Sequence, residues 1–568
     1  MISNEIKKKI EIFFSEKKYQ ELIDFADKHI KSNERPPGLA CMIGTCKFLK
    51  KNKTKEDLLS ALDYFEEAYL KDKLTINGLL GVTNFINVSL VGVKKSDDFI
   101  PHLNKAEKFY EETEKFFSSN RNFLIAAKNL FWFQLNNKRL KNIFEKILSN
   151  KDTSYFEKSG SIFFQNYIYN QSQKEYTEAA VNNSQNFPKY SVKKLKEINF
   201  EENKKIHLGF VSGDFTDQHS IFYFLKDTLR YLDKDLFKIF LFSFNRGINA
   251  EVLGQEEIKN LSDEFIDLDK FNNQECINII QENKINILID LMGFTFPKRL
   301  AIFNSRVAPV QISWLATCNT VGFQDIDYLI ADKNVINSDE EKFYPEKILK
   351  MPNIWNSHCG YDYDRKFYNS PCEDKDIFTF GSLNNFHKIS DEIIEAWSQI
   401  LKKTEKSKLI LKSSSSNCNI NIIREKFKKL GLDEKIKILD QKKFPYKQDH
   451  LNVYKDIDLA LDTFPYNGVT TTFESLWMGV PVIVLKGLNF NSRCGYSIMK
   501  NSEFEEFISK DIDEYIKKAV YFYENREEFL DLKSKLFENI LSTGLFDTKK
   551  FSEIFQKSLI DIHKKLNL

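Results

Sequence analysis

Three consecutive hydroxyl side chains, Thr470, Thr471 and Thr472, stand where a turn-rich loop runs into a short helix in the stretch 458–487, DLALDTFPYNGVTTTFESLWMGVPVIVLKG. A helix start has unpaired N–H groups and partial positive charge, so a phosphate can sit there, with the hydroxyls as further donors. The loop holds Pro465, Asn467 and Gly468, residue types that set tight turns. Glu474, one turn in, can accept hydrogen bonds from a sugar's vicinal hydroxyls. The local alternative is that the threonines cap the helix and Glu474 closes a capping box. Lys388, in FGSLNNFHKIS (380–390), follows an expected strand and precedes an expected helix, which puts a fixed cation over a strand's carboxyl end. With 83 Lys and Arg in the chain, a lysine taken alone is a solvated surface group. His450 lies near the start of a helix in FPYKQDHLNVYKDIDLALDT (444–463), and an isolated histidine there is more often a cap or surface residue. His219 follows the first strand of the α/β region, in SGDFTDQHS, and an unperturbed histidine can take a proton near neutral pH. Asp290, at the end of the INILID strand, reads first as the cap of the next turn.

These residue types fit sugar transfer from a nucleoside diphosphate. That reaction needs charge stabilisation at the leaving diphosphate, a positioned acceptor hydroxyl and a place for its proton. A metal ion can neutralise the diphosphate, and so can a lysine with a helix dipole. Asp-x-Asp pairs such as Asp267/Asp269, Asp325/Asp327 and Asp456/Asp458 carry little weight in a chain with 81 Asp and Glu, so no metal is expected. The eight cysteines form no CxxC pair and read as free thiols in a reducing cytoplasm.

The elements that must position these groups follow from pattern. A length of 568 residues exceeds one core and suggests about three domains. A net charge of +2 argues against a partner held by bulk electrostatics, nucleic acid included. No signal-peptide pattern or apolar run of about 18 residues is read, so no membrane span is expected. Residues 1 to about 185 show helical periodicity with short connections; ALDYFEEAYLKDK (61–73) resembles the second helix of a tetratricopeptide repeat, although no clean 34-residue period emerges. A polar stretch over 182–205 precedes alternating strands and helices, the signature of parallel sheets. A polar, aromatic segment at 355–376 reads as a connection between two such units. Two Rossmann-like units in tandem suggest a GT-B architecture, with the substrate cleft at the carboxyl ends of their strands. The final amphipathic helix is expected to pack back across the first of them.

The pattern Asp-Thr-x-Pro-x-x-Gly-x-Thr-Thr resembles the nucleotide-sugar loop of the protein O-GlcNAc transferase family, including its bacterial and SPINDLY-like members. Four further blocks are similar. In the 380–390 block the family's phosphate-binding lysine aligns with Lys388, while Asn385 and His387 stand where animal enzymes carry Gln and Tyr. His450 matches the histidine of a Lys-x-x-His segment that contacts the uracil and diphosphate region, and His219 resembles the histidine once favoured as general base, one residue farther from Asp214. NSRVAPVQISWLATCNTVG (304–322) matches an Arg-x-Ala-Pro-x-Gln block but departs at 316–319, where relatives carry a Gly-Tyr/His-Pro-Gly turn. Val469 replaces a histidine, and Glu474 an aspartate, as in bacterial relatives.

The resemblance implies an α/β GT-B fold preceded by an all-α, TPR-like helical-repeat domain. The expected domains are 1–190 (helical repeat), 205–355 (first Rossmann-like domain), 376–545 (nucleotide-sugar-binding domain) and 546–568 (closing helix). The activity it implies is inverting transfer of a sugar, GlcNAc from UDP-GlcNAc, to Ser/Thr hydroxyls of cytoplasmic proteins. His219 and Lys388 are the catalytic candidates; Asn385, Lys388, His450, Thr470, Thr471 and Glu474 are the donor-binding candidates. No cofactor is expected beyond the UDP-sugar itself. Protein acceptors would engage the helical region, and self-association is left open. Two alternatives stand beside this reading: another donor (UDP-glucose or GDP-fucose), and a helical-repeat interaction protein with a degenerate transferase half.

Overall fold

The computed structural model describes residues 3–566 apart from 202, 218, 245–254, 316, 363–364, 414–416 and 445. The chain divides into two compact units, 1–153 with 415–423, and 154–414 with 424–568.

The first unit is all α: Asn4–Ser15 (α1), Tyr19–His29 (α2), Pro37–Leu49 (α3), Lys55–Lys71 (α4), Ile76–Val93 (α5), Ile100–Phe117 (α6), Arg121–Phe133 (α7) and Asn137–Ser149 (α8). Neighbouring helices pack in pairs, and small residues let them approach: a Cβ on Gly44 of α3 already touches the Phe65 ring of α4 at 3.0 Å. Thr54 starts α4 with a full capping box to Asp57. α5 corrects the expectation that no apolar run of membrane length occurs. Free of charged residues over 18 positions, it is long and apolar enough to cross a membrane. Here it is a core helix, with Val82, Phe85 and Ile86 fully buried against its neighbours.

The second unit opens with Tyr155–Gln165 (α9) and Gln173–Ser184 (α10), whose sequence continues the helical pattern of the first unit but which pack with the sheets. A seven-stranded parallel sheet follows: Ile206–Ser212 (β1), Phe237–Ser243 (β2), Glu264–Asp267 (β3), Ile287–Asp290 (β4), Val310–Ser313 (β5), Tyr328–Asp332 (β6) and Lys347–Met351 (β7), in the order β3-β2-β1-β4-β5-β6-β7. The second sheet has six parallel strands: Phe378–Ser382 (β8), Ser407–Ser413 (β9), Ile436–Asp440 (β10), Leu459–Leu461 (β11), Val482–Leu485 (β12) and Ile508–Ser509 (β13), in the order β10-β9-β8-β11-β12-β13. The central strands are continuous apolar runs because helices cover both faces of a parallel sheet. β7 and β13 escape such a reading: each is an edge strand, β7 half-covered and lysine-bearing, β13 two residues long.

Two helical elements complete this unit. The Thr548–His563 helix returns, as expected, onto the first sheet's Ser220–Arg230 helix. Thr548 Oγ1 donates to Asp227 (2.9 Å), Ser552 to the Thr228 carbonyl (2.9 Å), and Phe555 meets Trp314 at 5.0 Å. α10 comes so close to the loop after β5 that a Cβ on Gly322 (φ +78°) would lie 2.5 Å from the Ala180 and Val181 backbone.

The segment read as a polar connection is partly core. Trp355, Asn356, Ser357 and His358 are buried, Trp314 Nε1 donates to the Trp355 carbonyl (2.9 Å), and the His358 ring stacks between Tyr223 and Phe473. Burial pushes His358 down to about 3, so it is a neutral aromatic spacer at physiological pH.

Candidate active site

In each sheet the strand order reverses once, between β1 and β4 and between β8 and β11. Loops leaving the carboxyl ends of strands at such a reversal diverge and leave a crevice. The two crevices meet in one cleft of about 340 Å³. The loop after β1 contributes His219, that after β8 Asn384, Asn385 and Lys388, and that after β11 Tyr466, Val469, Thr470 and Thr471. Leu315 and Cys318 come from the segment after β5, Tyr167 from the turn after α9, and Trp355 from the buried connection.

The Lys388 ammonium donates to the Asn467 carbonyl (2.8 Å) and lies 4.3 Å above the Tyr466 ring. Burial pushes it down to about 8, against the opposing pull of the Asp462 carboxylate. Beside it begins the Thr470–Trp477 helix, whose N-cap, Val469, offers no side-chain acceptor. The capping-box alternative therefore fails here. Thr472 Oγ1 donates back to the Gly468 carbonyl (3.1 Å) and Thr471 Oγ1 to Asn384 Oδ1 (3.0 Å). A lysine and an uncapped helix start in one cleft are groups with the chemistry to take a diphosphate.

Glu474 and His450 meet each other one turn farther in. Glu474 is 2 % exposed, with Oε2 at 2.9 Å from His450 Nε2, Oε1 ion-paired to Lys447, and the Tyr454 and Tyr361 hydroxyls each at 3.4 Å. Burial raises a carboxyl, but the Lys447 ammonium and the His450 ring outweigh it and hold Glu474 well below the usual range. His450 Nδ1 faces the Lys412 ammonium, which has no lone pair to accept with, so Nδ1 accepts and the ring proton sits on Nε2 toward Glu474. Burial pushes Lys412 down to about 8. A sugar hydroxyl seeking Glu474 meets a carboxylate that already has these partners. Tyr454 links the group to the cleft by donating to the Thr471 carbonyl (3.0 Å).

His219 is the N-cap of the Ser220–Arg230 helix: Nδ1 accepts from the Ile221 N–H at 3.4 Å, and Nε2 lies 3.9 Å from Asp214. Asn385 accepts from the His387 amide (3.0 Å) and contacts the His387 ring at 2.9 Å. Asp290 caps the turn after β4, accepting from the Met292 and Gly293 amides at 2.9 Å each. Arg493 is structural. It pairs with Glu340 and donates to the Gly487 and Leu488 carbonyls.

Of the departing segment 316–319, Ala316 lies outside the described residues. Leu315 (φ +69°) and Cys318 (φ +49°) adopt left-handed backbone.

Asp462, Asn384, Lys412 and Tyr167 are site residues that sequence reasoning passed over. Asp462 was in plain view in the loop pattern. Lys412 ends the strand SKLILKS, where a charge after an apolar run is a usable signal. Tyr167 stacks on Tyr466 at 4.6 Å across roughly 300 residues of sequence, and no local signal points to it. Among the described residues, no group of three or more His, Cys, Asp and Glu is placed to hold a metal ion.

An all-α helical-repeat region followed by two parallel α/β sheets whose switch points share a cleft defines a GT-B-like, double-Rossmann glycosyltransferase. The chain belongs to glycosyl transferase family 41, whose model matches residues 173–359 and 363–555. In fold it is similar to a mutant of Thermobaculum terrenum O-GlcNAc transferase, with a TM-score of 0.72 and 20 % identity over 90 % of this chain and 95 % of that one. In sequence it is 28 % identical over 351 residues to the probable UDP-N-acetylglucosamine–peptide N-acetylglucosaminyltransferase SPINDLY of Solanum lycopersicum, and 27 % identical over 369 residues to the SEC protein of Arabidopsis thaliana, described likewise. These alignments cover 61 % and 62 % of this chain and 37 % of each relative, so the chain spans little more than a third of the curated relatives it matches.

Proposed function

We propose that this protein transfers a sugar, GlcNAc from UDP-GlcNAc, to serine and threonine hydroxyls of proteins, with inversion and without a metal ion. The observation that carries this reading is the Lys388 ammonium beside the uncapped start of the Thr470–Trp477 helix, in one cleft between two switch points. In this scheme Lys388 neutralises the leaving diphosphate, the amides and hydroxyls of Thr470 and Thr471 bind its oxygens, and Asn385 supplies a further polar contact. His450 and Glu474 hold the nucleoside end. His219 takes the acceptor's proton at Nε2, which requires the proton to move to Nδ1 and the long helix-capping bond to be given up.

The names of the relatives support the donor, and the seven described cysteines, all free thiols, are in keeping with a cytoplasmic setting. The TPR-like helices up to about residue 190 are assigned to protein acceptors, the domain at 205–355 to the acceptor side of the cleft, 376–545 to the donor and 546–568 to the closing helix.

The test is a donor panel of UDP-GlcNAc, UDP-glucose and GDP-fucose, scored in excess EDTA by hydrolysis and by competition with free UDP. UDP-GlcNAc should turn over fastest and UDP should compete. Preference for GDP-fucose, or activity that only Mn²⁺ or Mg²⁺ restores, overturns the corresponding part of the proposal.

A further inference from the structure

We propose that Asp462 is a positioning residue for the diphosphate: its carboxylate fixes the donor loop, and its negative charge faces the Lys388 ammonium across the Asn467–Gly468 peptide. This rests on the diphosphate reading of the cleft.

The basis is geometric. Asp462 follows β11 and is 1 % exposed. Its Oδ1 accepts from the Gly468 amide (2.7 Å), the Thr463 amide (2.8 Å) and Asn384 Nδ2 (3.3 Å), and Asn384 Oδ1 in turn accepts from Thr471 Oγ1 (3.0 Å). One buried oxygen thus reaches both ends of the loop that leads into the helix start. Its Oδ2 has no hydrogen-bond partner among the described residues. Two glycines make room for the carboxylate: a Cβ on Gly468 would lie 2.8 Å from Oδ1, and one on Gly495 2.6 Å from Oδ2.

A buried carboxylate oxygen without a donor is unfavourable unless a nearby charge answers it. Lys388 is the cation beside it: its ammonium bonds the carbonyl of the Asn467–Gly468 peptide (2.8 Å), whose amide donates to Asp462 Oδ1 (2.7 Å). Its contacts with the Asn467 carbonyl and the Tyr466 ring are to uncharged groups, so Asp462 is the anion that answers it. The other titratable groups around the pair are the thiols of Cys318 and Cys494 and the phenols of Tyr466, Tyr454 and Tyr515. Burial pushes Asp462 up to about 7 and Lys388 down to about 8, so the doubly charged pair occupies a narrow window around neutral pH. Removing the charge at 462 leaves burial to act on Lys388 alone, and the ammonium is then lost at lower pH. Below about pH 7 the natural Asp462 itself takes up a proton, so protein and variant converge there and diverge above.

The experiment measures UDP and uridine affinity of the full chain from pH 6 to 8.5, for the natural protein and Asp462→Asn, which keeps the Oδ1 acceptor and removes the charge. UDP binding by the variant should match the natural protein within about twofold at pH 6 and be about fivefold weaker at pH 8, a shift of about one pH unit in Lys388. Uridine, which lacks phosphate, should bind both equally. A UDP deficit of the same size at every pH is what a merely structural role gives and overturns the proposal, as does no deficit. In a Lys388→Met background, Asp462→Asn should add no pH-dependent loss; if it does, Lys388 is not what Asp462 acts through. If Lys388→Met alone leaves UDP affinity intact, it is the diphosphate reading that fails. Should Asp462→Asn not fold, Asn384→Ala tests the loop arm: UDP affinity should fall equally at pH 6 and 8 with uridine unaffected, and unchanged UDP affinity overturns it.

Discussion

At the scale of single residues, the cleft separates groups that face substrate from groups that hold them. Lys388 belongs to the first kind. A charge-assisted bond to a developing diphosphate contributes about 2–4 kcal/mol, so Lys388→Ala should lower kcat about 30- to 1000-fold while the melting temperature holds. Unchanged turnover in a folded variant refutes the assignment. Glu474 also holds its neighbours Lys447 and His450, and its folded-state pKa lies below the unfolded value. The stabilisation it brings is therefore complete above about pH 4.5 and is lost as pH falls through the acid range. Glu474→Gln leaves Lys447 and His450 without their carboxylate, which should destabilise the neutral protein by about 2 kcal/mol and flatten the fall of Tm between about pH 5 and 3. Thermal melts across that range check it; an unchanged acid limb means the cluster carries no net stabilisation.

What could be read at this scale was what is local. Lys388, Asn385, Thr470 and Thr471 sit in short strand–loop–helix blocks whose pattern announces a strand end, and they do line one cleft. Asp462 and Tyr167 matter only through partners far away in sequence, and one chain without its fold carries no sign of such pairings. The Glu474 cluster is intermediate. Its histidine and lysine share one segment, but Lys412 joins them from another strand.

At the scale of elements, central strands and amphipathic helices announced themselves through burial on both faces or one stripe. Strands β7 and β13 did not, because β7 mixes two lysines into a half-covered edge and β13 is only two residues long. α9 and α10 were readable as helices but not as parts of the catalytic unit. They supply Tyr167 to the cleft, while Gln173 bonds Asn319 (2.8 Å) and the Gln171 carbonyl accepts from Asn489 (2.9 Å). Truncation should therefore depend sharply on where it falls. A chain starting at Lys151 keeps both helices and should retain UDP binding and slow donor hydrolysis, whereas one starting at Val192 loses the stacking partner of Tyr466 and these amides. The second should melt lower and bind UDP at least tenfold more weakly, about 1.4 kcal/mol. Equal UDP affinity and equal melting temperature for the two would mean the hairpin is an accessory.

At the scale of the whole molecule, loss of the first unit should separate two activities, if its helices present protein acceptors. The chain starting at Lys151 should hydrolyse donor while losing most transfer to protein substrates. Full transfer by that chain refutes the acceptor role.

The amides around α9 and α10 have a mechanical consequence. Asn319, from the first sheet's side of the cleft, donates to Asn491 (3.2 Å) on the second sheet's side, Asn491 donates back to the Thr317 carbonyl (2.7 Å), and from the helical side Gln173 donates to Asn319 (2.8 Å) while the Gln171 carbonyl accepts from Asn489 (2.9 Å). Sliding the two lobes past each other would break all of these bonds, together with that from Ser497 Oγ to Asp332 (2.7 Å). Because the pins are mostly neutral amides, dissolved salt does little to them, whereas it screens the attraction between a diphosphate and Lys388. Raising the ionic strength should thus weaken the grip on a charged donor without loosening this amide seam between the lobes.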